Sequence, residues 1–279
     1  RQMCIRDSAR HRRRMKRWIC FALLFATCLT SCKSGEKLSP AGWPRFRLKA
    51  EQITTLTPPN RERFDASGLL LLGSGEMLTL RNNQDSLLYR IEYLPDPKEA
   101  KLVALNDCFN TNQLAPLKAE KPGGFDVEGI ARDKEGRVYI CEERRRWILR
   151  CDSKAGSVER LAIDWGGAAD YFSSVDPNAS FEGIAIGDGN LYVANERTSP
   201  RIIVVDLATL RVKKHFAVQP TKASYFGLHY SDLCWFEDKL WVLCRQHRVV
   251  LAVDAKSERV LAEFDYADIE ESLGYRIGL

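Results

Sequence analysis

The stretches "DVEGIARDKEGRVYICEER" (126–144) and "FEGIAIGDGNLYVANER" (181–197) are two versions of one pattern. Each contains Glu-Gly-Ile-Ala, passes through a glycine-containing turn into an apolar run with a tyrosine, and ends on Glu-Arg. "YSDLCWFEDKLWVLCRQ" (230–246) aligns with the second version without gaps, and "ASGLLLLGSGEMLTLRNN" (66–83) is a fainter copy. Repetition of one supersecondary unit is typical of propellers and solenoids.

Each copy contains two β-rich segments, and further segments follow it. A third apolar segment ends near an aspartate, and in two of the units a fourth segment comes after it. These segments are "WILRCD" (147–152), "IIVVD" (202–206) and "VVLAVD" (249–254), then "VERLAI" (158–163) and "RVLAEF" (259–264). Helical periodicity is weak and lies around 265–273. Four short strands per unit of about 50 to 60 residues predict an all-β fold, a β-propeller of four-stranded blades, with about four blades present.

The start of the chain predicts export. Residues 1–14 are interpreted as a non-native leader, and "MKRWICFALLFATCLTSC" (15–32) joins a basic start to an apolar run too short to span a bilayer. Small residues before Cys32 resemble a bacterial lipobox, so residues 15–31 are predicted to be a lipoprotein signal peptide and Cys32 the lipidated residue. An ordinary signal peptide with an incidental cysteine is the alternative. Residues 32–60 are predicted to be a tether and 61–279 the propeller, anchored by lipid in the bacterial cell envelope and facing the periplasm or the exterior.

The basic excess of the chain belongs to that leader. The formal net charge is +5, but residues 1–31 hold eight Lys/Arg against one acidic residue, which leaves 34 basic and 36 acidic residues in the rest. The charge of the chain therefore gives no argument for nucleic acid, and no nucleic acid is expected. The expected partners are the membrane, through Cys32, and a small anionic or ester ligand.

Five cysteines follow Cys32: Cys108, Cys141, Cys151, Cys234 and Cys244. An exported compartment permits disulfides, but the spacing does not require one. In a hairpin of 137–142 with 147–152, Cys141 is predicted to lie opposite Ile148 and not opposite Cys151. We expect buried thiols and no cysteine-based metal site.

The strand order predicts where the repeated glutamates lie. Glu128 and Glu182 begin the first strand of their blades, and Glu143 and Glu196 end the second. In an antiparallel pair the start of one strand and the end of the next share an edge. The four glutamates are therefore expected on one face, around the mouth of the central channel if these are the inner strands.

The two Glu-Gly-Ile-Ala openings with their downstream Glu-Arg resemble the phytase-like family, described as "esterase-like activity of phytase", over about 120–270. This resemblance implies a propeller of about six blades. Repeat openings at Ser67, Glu128, Glu182 and Ser231 place the next one near residue 280, so we expect an open arc cut from such a ring by truncation at the C-terminus. Two blades depart from the acidic pair, since Ser67 and Asn82, and Ser231 and Arg245, stand in those positions.

Two functions remain open for the acidic face. Converging carboxylates favour Ca²⁺, which could hold a phosphate or polarise an ester, so Glu128, Glu143, Glu182 and Glu196 are candidate metal ligands for a hydrolase acting on phosphoric or carboxylic esters. Candidate ligand- or anion-binding residues are Arg144, Arg197, Arg245 and Asp232. The alternative is a non-catalytic propeller that binds a ligand or protein. In that case each glutamate forms an ion pair with an arginine of the next blade or accepts backbone N–H groups, and only joins blades.

His229, Ser231 and Asp232 lie within four residues of one another, which invites comparison with a catalytic triad. Neighbours along a strand alternate between its two faces. The three side chains are therefore not expected to converge locally.

Overall fold

The computed structural model describes residues 37–38, 42–58, 64–81, 87–121, 123–173, 176, 179–197, 199–222 and 227–273. The described residues form four antiparallel four-stranded blades, two of which carry added strands at one edge. The predicted β-propeller is confirmed. The first blade consists of β4 (Ala66–Leu71), β5 (Met77–Arg81), β6 (Leu88–Tyr93) and β7 (Glu99–Ala104), and the second of β8 (Val127–Arg132), β9 (Val138–Glu142), β10 (Trp147–Asp152) and β11 (Ser157–Arg160). The third blade consists of β12 (Phe181–Gly187), β13 (Asn190–Asn195), β14 (Arg201–Asp206) and β15 (Arg211–Phe216). The fourth consists of β16 (Asp232–Phe236), β17 (Lys239–Cys244), β18 (Val249–Asp254) and β19 (Arg259–Asp265).

Tight turns set the register of the blades. Asp188 and Gly189 both have positive φ, 51° and 72°, in the two-residue turn between β12 and β13. This conformation matches the twist of the flanking strands and is easy for glycine. In β9 and β10, Cys141 pairs with Ile148 as the sequence predicted.

The hydrophobic core lies between successive blades. Leu80 of the first blade and Ile140 of the second share one cluster, and Tyr139 and Val193 share the next. A third cluster joins the third and fourth blades. Each blade therefore buries its apolar faces against its neighbours, as radial packing requires.

The inner strands β4, β8, β12 and β16 pack side by side around the axis. Glycines make this approach possible. A Cβ on Gly129 would lie 2.7 Å from the Cα of Gly183, and a Cβ on Gly183 would lie 2.5 Å from the Cα of Asp232. At the far end of these strands, a cavity of about 390 Å³ is lined by residues 70–73, residues 132–136 and Trp235.

Short strands before the first blade pair with blade edges. Next to β1 (Lys37–Leu38), β2 (Pro44–Arg47) runs parallel to β19, and β3 (Thr55–Thr57) runs parallel to β7. These residues belong to the segment predicted as a tether. In the described part of that segment, two strands are built into the propeller.

The connection between the first two blades differs from the sequence expectation. It contains α1 (Thr111–Glu120), a helix the periodicity did not indicate, whose N-terminus is capped reciprocally by Asn110 and Gln113. Cys108, just before the helix, forms a disulfide with Cys151 of β10. The expectation of buried thiols is wrong for Cys108 and Cys151, because the connection folds back onto the blade and brings them together. It is also wrong for Cys234, which is exposed. Cys141 and Cys244 are buried thiols.

The short helix α2 (Ala267–Ser272) lies where weak periodicity had been noted. Neither α1 nor α2 is long and apolar enough to cross a membrane, and no other helix among the described residues is. Residues 1–36, with the predicted signal peptide and Cys32, lie outside the described residues.

Candidate functional site

Backbone pairing places the repeated glutamates at one edge of their blades. The Glu143 N–H donates to the carbonyl oxygen of Asp126 at 2.8 Å, and the Glu196 N–H donates to that of Ser180 at 2.8 Å. Each bond extends the ladder between the first two strands of a blade by one step. Glu128 and Glu182 stand on the partner strands at the same edge, so the structure brings all four carboxylates to one end of the channel.

The electrostatics of these carboxylates show that they are close. Burial raises the pKa of Glu143 to about 8, with further contributions from Glu128, Asp126 and Glu196. Burial also raises the pKa of Glu182 to about 9, and the nearby charges of Glu196, Glu128 and Glu143 act in the same direction. Such mutual repulsion arises when carboxylates share a site with too few cations.

Three acidic side chains form the tightest group. One oxygen from each of Asp126, Glu128 and Glu143 lies within 4.8 Å of the others. Glu143 is only 4% exposed, and its buried Oε1 has no hydrogen-bond partner. An oxygen-only group of this kind fits a hard cation such as Ca²⁺. Sequence reasoning missed Asp126, although its position at the head of the first motif was the available signal.

The adjacent Glu142 has a different role. Its Oε1 accepts the Asp126 N–H at 3.2 Å and Nη1 of Arg145 at 2.6 Å, while its Oε2 accepts the Arg145 N–H at 2.6 Å. Fully buried and fully paired, Glu142 closes the end of its hairpin. Glu142 is not one of the four repeated glutamates, and its bonds join parts of one hairpin and not two blades. Among the four, Glu196 contacts the next repeat, through His229.

The three candidate arginines lie in different surroundings. Arg144 is more than half exposed and its Nε lies 2.8 Å from a carboxylate oxygen of Asp126. Arg197 lies 2.9 Å from Glu196 and 3.4 Å from Asp176. Arg245 is exposed, and its charge favours the ionised form of Glu182. The three arginines thus have different carboxylates as neighbours.

Asp232 and His229 come to the same region from the fourth blade. Burial, followed by the charge of Glu128, raises the pKa of Asp232 to about 8. Nδ1 of His229 lies 3.2 Å from Oε1 of Glu196. Sequence reasoning considered His229 only together with Ser231 and Asp232 and did not expect the three to converge. Its carboxylate partner in the structure lies 33 residues earlier in the chain.

The family follows from the full sequence pattern. The model of the family described as "Phytase-like: Esterase-like activity of phytase" matches residues 52–274. The chain belongs to the phytase-like family. No curated protein matches the sequence.

Solved structures are similar to this phytase-like chain at low sequence identity. Glutaminyl cyclase from Myxococcus xanthus is 12% identical with a TM-score of 0.51, and the match covers 77% of each chain. Virginiamycin B lyase from Staphylococcus aureus is 16% identical with a TM-score of 0.41, over 72% of this chain and 56% of the lyase. At these identities the first likeness shows the shared fold, and no activity is transferred from it.

Proposed function

We propose that this phytase-like chain is a metal-assisted hydrolase of phosphoric or carboxylic esters, with its site at the mouth of the channel. The observation that carries the proposal is the group of Asp126, Glu128 and Glu143, whose oxygens lie within 4.8 Å. The ester class comes from the description of the family. Glu143 is buried and Asp126 and Glu128 are half-buried, so bulk water is partly excluded from the group, which suits such a site.

Asp126, Glu128 and Glu143 are the proposed ligands of Ca²⁺. The raised pKa of Glu143 means that without a cation this carboxyl holds a proton at neutral pH, whereas a bound cation would favour the ionised form. When bound, the ion would supply Lewis-acid polarisation of an ester oxygen. Glu182 and Glu196, the other sequence candidates, are left outside this ligand set, since the group of three does not include them.

The candidate arginines are proposed to bind the anionic part of the substrate. Arg144 is more than half exposed beside Asp126, so part of its guanidinium faces the solvent at the mouth. Arg197 lies on the next blade, and Arg245 on the blade after that. A phosphate or carboxylate that enters from solvent would meet these arginines before it reaches the acidic group.

Thermal unfolding with and without Ca²⁺ tests the metal site. We expect CaCl₂ to raise the Tm of the wild type relative to EDTA, because the ion binds only the folded chain. The shift should be lost in Glu143→Gln and kept in Glu135→Gln, whose carboxylate is exposed in the turn at the other end of the blade. An unchanged wild-type Tm, or an equal shift in Glu143→Gln, would contradict the site.

The same proteins should be assayed with phenyl acetate and phenyl phosphate. Hydrolysis that is stimulated by Ca²⁺ and lost in Glu143→Gln supports the hydrolase. A calcium-dependent Tm without any hydrolysis would favour the second candidate function, a non-catalytic propeller of the cell envelope that binds a ligand or protein. That candidate is favoured by the exposed Leu71 and Phe236 near the cavity at the opposite end of the channel.

We further propose that the propeller is exported and held at the membrane by lipid on Cys32. The disulfide between Cys108 and Cys151 supports the exported location, because disulfides persist in oxidising compartments.

A further inference from the structure

His229 and Glu196 form a pair at the mouth, and the charge of Glu196 contributes to the raised pKa of Glu143, one of the proposed metal ligands. Nδ1 of His229 lies 3.2 Å from Oε1 of Glu196. The Glu196 side chain is 1% exposed and the His229 side chain is 16% exposed. The carboxylate is thus buried, while part of the imidazole remains accessible to a small molecule at the mouth.

The backbone of Glu196 is bonded to the residue that follows His229. The Glu196 carbonyl oxygen accepts the Tyr230 N–H at 3.3 Å, which fixes the residue next to His229 against the end of β13. The fully buried Tyr230 is anchored in turn, since its hydroxyl donates to the carbonyl oxygen of Val218 at 2.8 Å. Arg197 lies 2.9 Å from Oε2 of Glu196 and leaves Oε1 facing the imidazole. An ion pair on one side and the imidazole on the other thus flank the carboxylate, whose Oε2 has no hydrogen-bond partner among the described residues.

The other described histidines do not offer this arrangement. His247 is 6% exposed, and its Nδ1 is buried without a hydrogen-bond partner. His215 lies on the outer strand β15, where it packs edge-on against Tyr171. Among the described residues, His229 is thus the histidine that combines a carboxylate partner with access to the mouth.

We propose that His229 is the proton-transfer residue of the ester hydrolysis and that Glu196 is its positioning residue. The inference rests on the proposed function. A carboxylate at Nδ1 selects the tautomer with the proton on Nδ1 and leaves the lone pair on Nε2 free. Nε2 then takes a proton from water as the water oxygen bonds to the ester carbon or phosphorus. The ester C–O or P–O bond breaks, its electron pair stays on the leaving oxygen, and Nε2 returns the proton there, giving an alcohol and an acid.

The kinetic test uses phenyl acetate and phenyl phosphate with the full chain. We expect His229→Ala to reduce kcat by about 10²- to 10⁴-fold, the range for a positioned acid–base group. Added imidazole should restore part of the rate in His229→Ala, with no gain in the matched control His215→Ala. Glu196→Gln should lower kcat, yet add almost nothing in the His229→Ala background, because the carboxylate acts through the imidazole.

A spectroscopic test does not depend on activity. The chain has four histidines, so ¹H–¹⁵N correlations of the imidazole rings can be assigned with single variants. We expect His229 to carry its proton on Nδ1 in the wild type, and Glu196→Gln to shift the tautomer population. A wild type that hydrolyses neither ester would overturn the proposed function and the catalytic role with it. A wild type that is active, together with a fully active His229→Ala or an Nε2-protonated His229, would overturn this inference alone.

Discussion

Adjacent glutamates in one hairpin perform different tasks because neighbours along a strand face opposite sides. The Glu142 side chain accepts hydrogen bonds from Arg145 and from the backbone N–H of Asp126. Glu143 points toward Glu128 and keeps a buried oxygen without a hydrogen-bond partner. A buried carboxylate left in this state costs stability, and sites that bind ions or substrates are where such a cost persists. At the scale of single residues, the acidic site is therefore a local source of instability.

This instability predicts how folding depends on pH. The folded-state pKa values of Glu143, Glu182 and Asp232 are raised to about 8, 9 and 8. Ordinary carboxyl groups titrate near pH 4, so the folded chain binds more protons than the unfolded chain between these limits. The free energy of unfolding should then fall as the pH rises, and the cost should be complete above about pH 10, one unit beyond the highest of these pKa values.

Urea unfolding in EDTA at pH 7, 8 and 9 measures this dependence. The range begins at pH 7 because burial lowers the pKa of His247. In more acidic solution the unfolded chain protonates this histidine more readily than the folded chain, so His247 makes the free energy of unfolding rise with pH there. Glu182→Gln should flatten the slope, and saturating Ca²⁺ should reduce it. Stability in EDTA that stays constant or rises from pH 7 to pH 9 would refute the prediction.

Regular elements follow from the sequence where hydrophobic pattern and turns agree. The segment 147–152 coincides with β10, and the register that places Cys141 opposite Ile148 is correct, because both are local consequences of alternation along a hairpin. The disulfide of Cys108 could not be predicted in this way, since it depends on how the connection between two blades folds back. The same holds for the pairing of His229 with Glu196, which joins two repeats.

The close packing of the inner strands gives a prediction at the scale of elements. Gly129→Ala would place a Cβ 2.7 Å from the Cα of Gly183, and backbone on both sides leaves no flexible atom to move. We expect a loss of about 1–3 kcal/mol in the free energy of unfolding, typical of an overpacked site. Gly73→Ala is the matched control, because its Cβ would meet nothing within 4 Å. Equal stability of the two variants would show that the inner strands separate easily.

For the whole molecule, the stretch from Pro44 to Thr57 joins two blades that are far apart in sequence. Its β2 adds to the outer strand β19 of the fourth blade, and its β3 adds to the outer strand β7 of the first. Seven residues separate β2 from β3, and seven fully extended residues reach about 25 Å. The outer edges of the first and fourth blades are therefore held near each other by main-chain pairing, while the acidic site lies at the centre.

One ion pair fastens this stretch to the fourth blade. Nε of Arg45 in β2 lies 2.9 Å from Oε1 of Glu263, whose side chain is fully buried in β19. Oε2 of the same glutamate accepts the N–H and the hydroxyl of Thr221 at 2.8 and 2.7 Å. Glu263 thus links the added strand, its blade and the connection from the third blade.

Removing Arg45 should therefore weaken the whole propeller. Arg45→Ala leaves a buried carboxylate without its cation, and we expect a loss of about 3 kcal/mol, at the lower end of the range for broken buried pairs because Arg45 is partly exposed. Arg47→Ala, two residues along the same strand, removes a pair with Asp268 in which both side chains are more than half exposed, and should cost about 0–1 kcal/mol. Urea unfolding of the wild type, Arg45→Ala and Arg47→Ala provides the comparison.

Arg45→Ala would also expose the stretch around residues 48–54 to limited proteolysis earlier than Arg47→Ala if the added strand detaches before the blades unfold. Identical unfolding and cleavage of the two variants would mean that β2 stays in place without the ion pair and that its main-chain bonds alone hold the two blades.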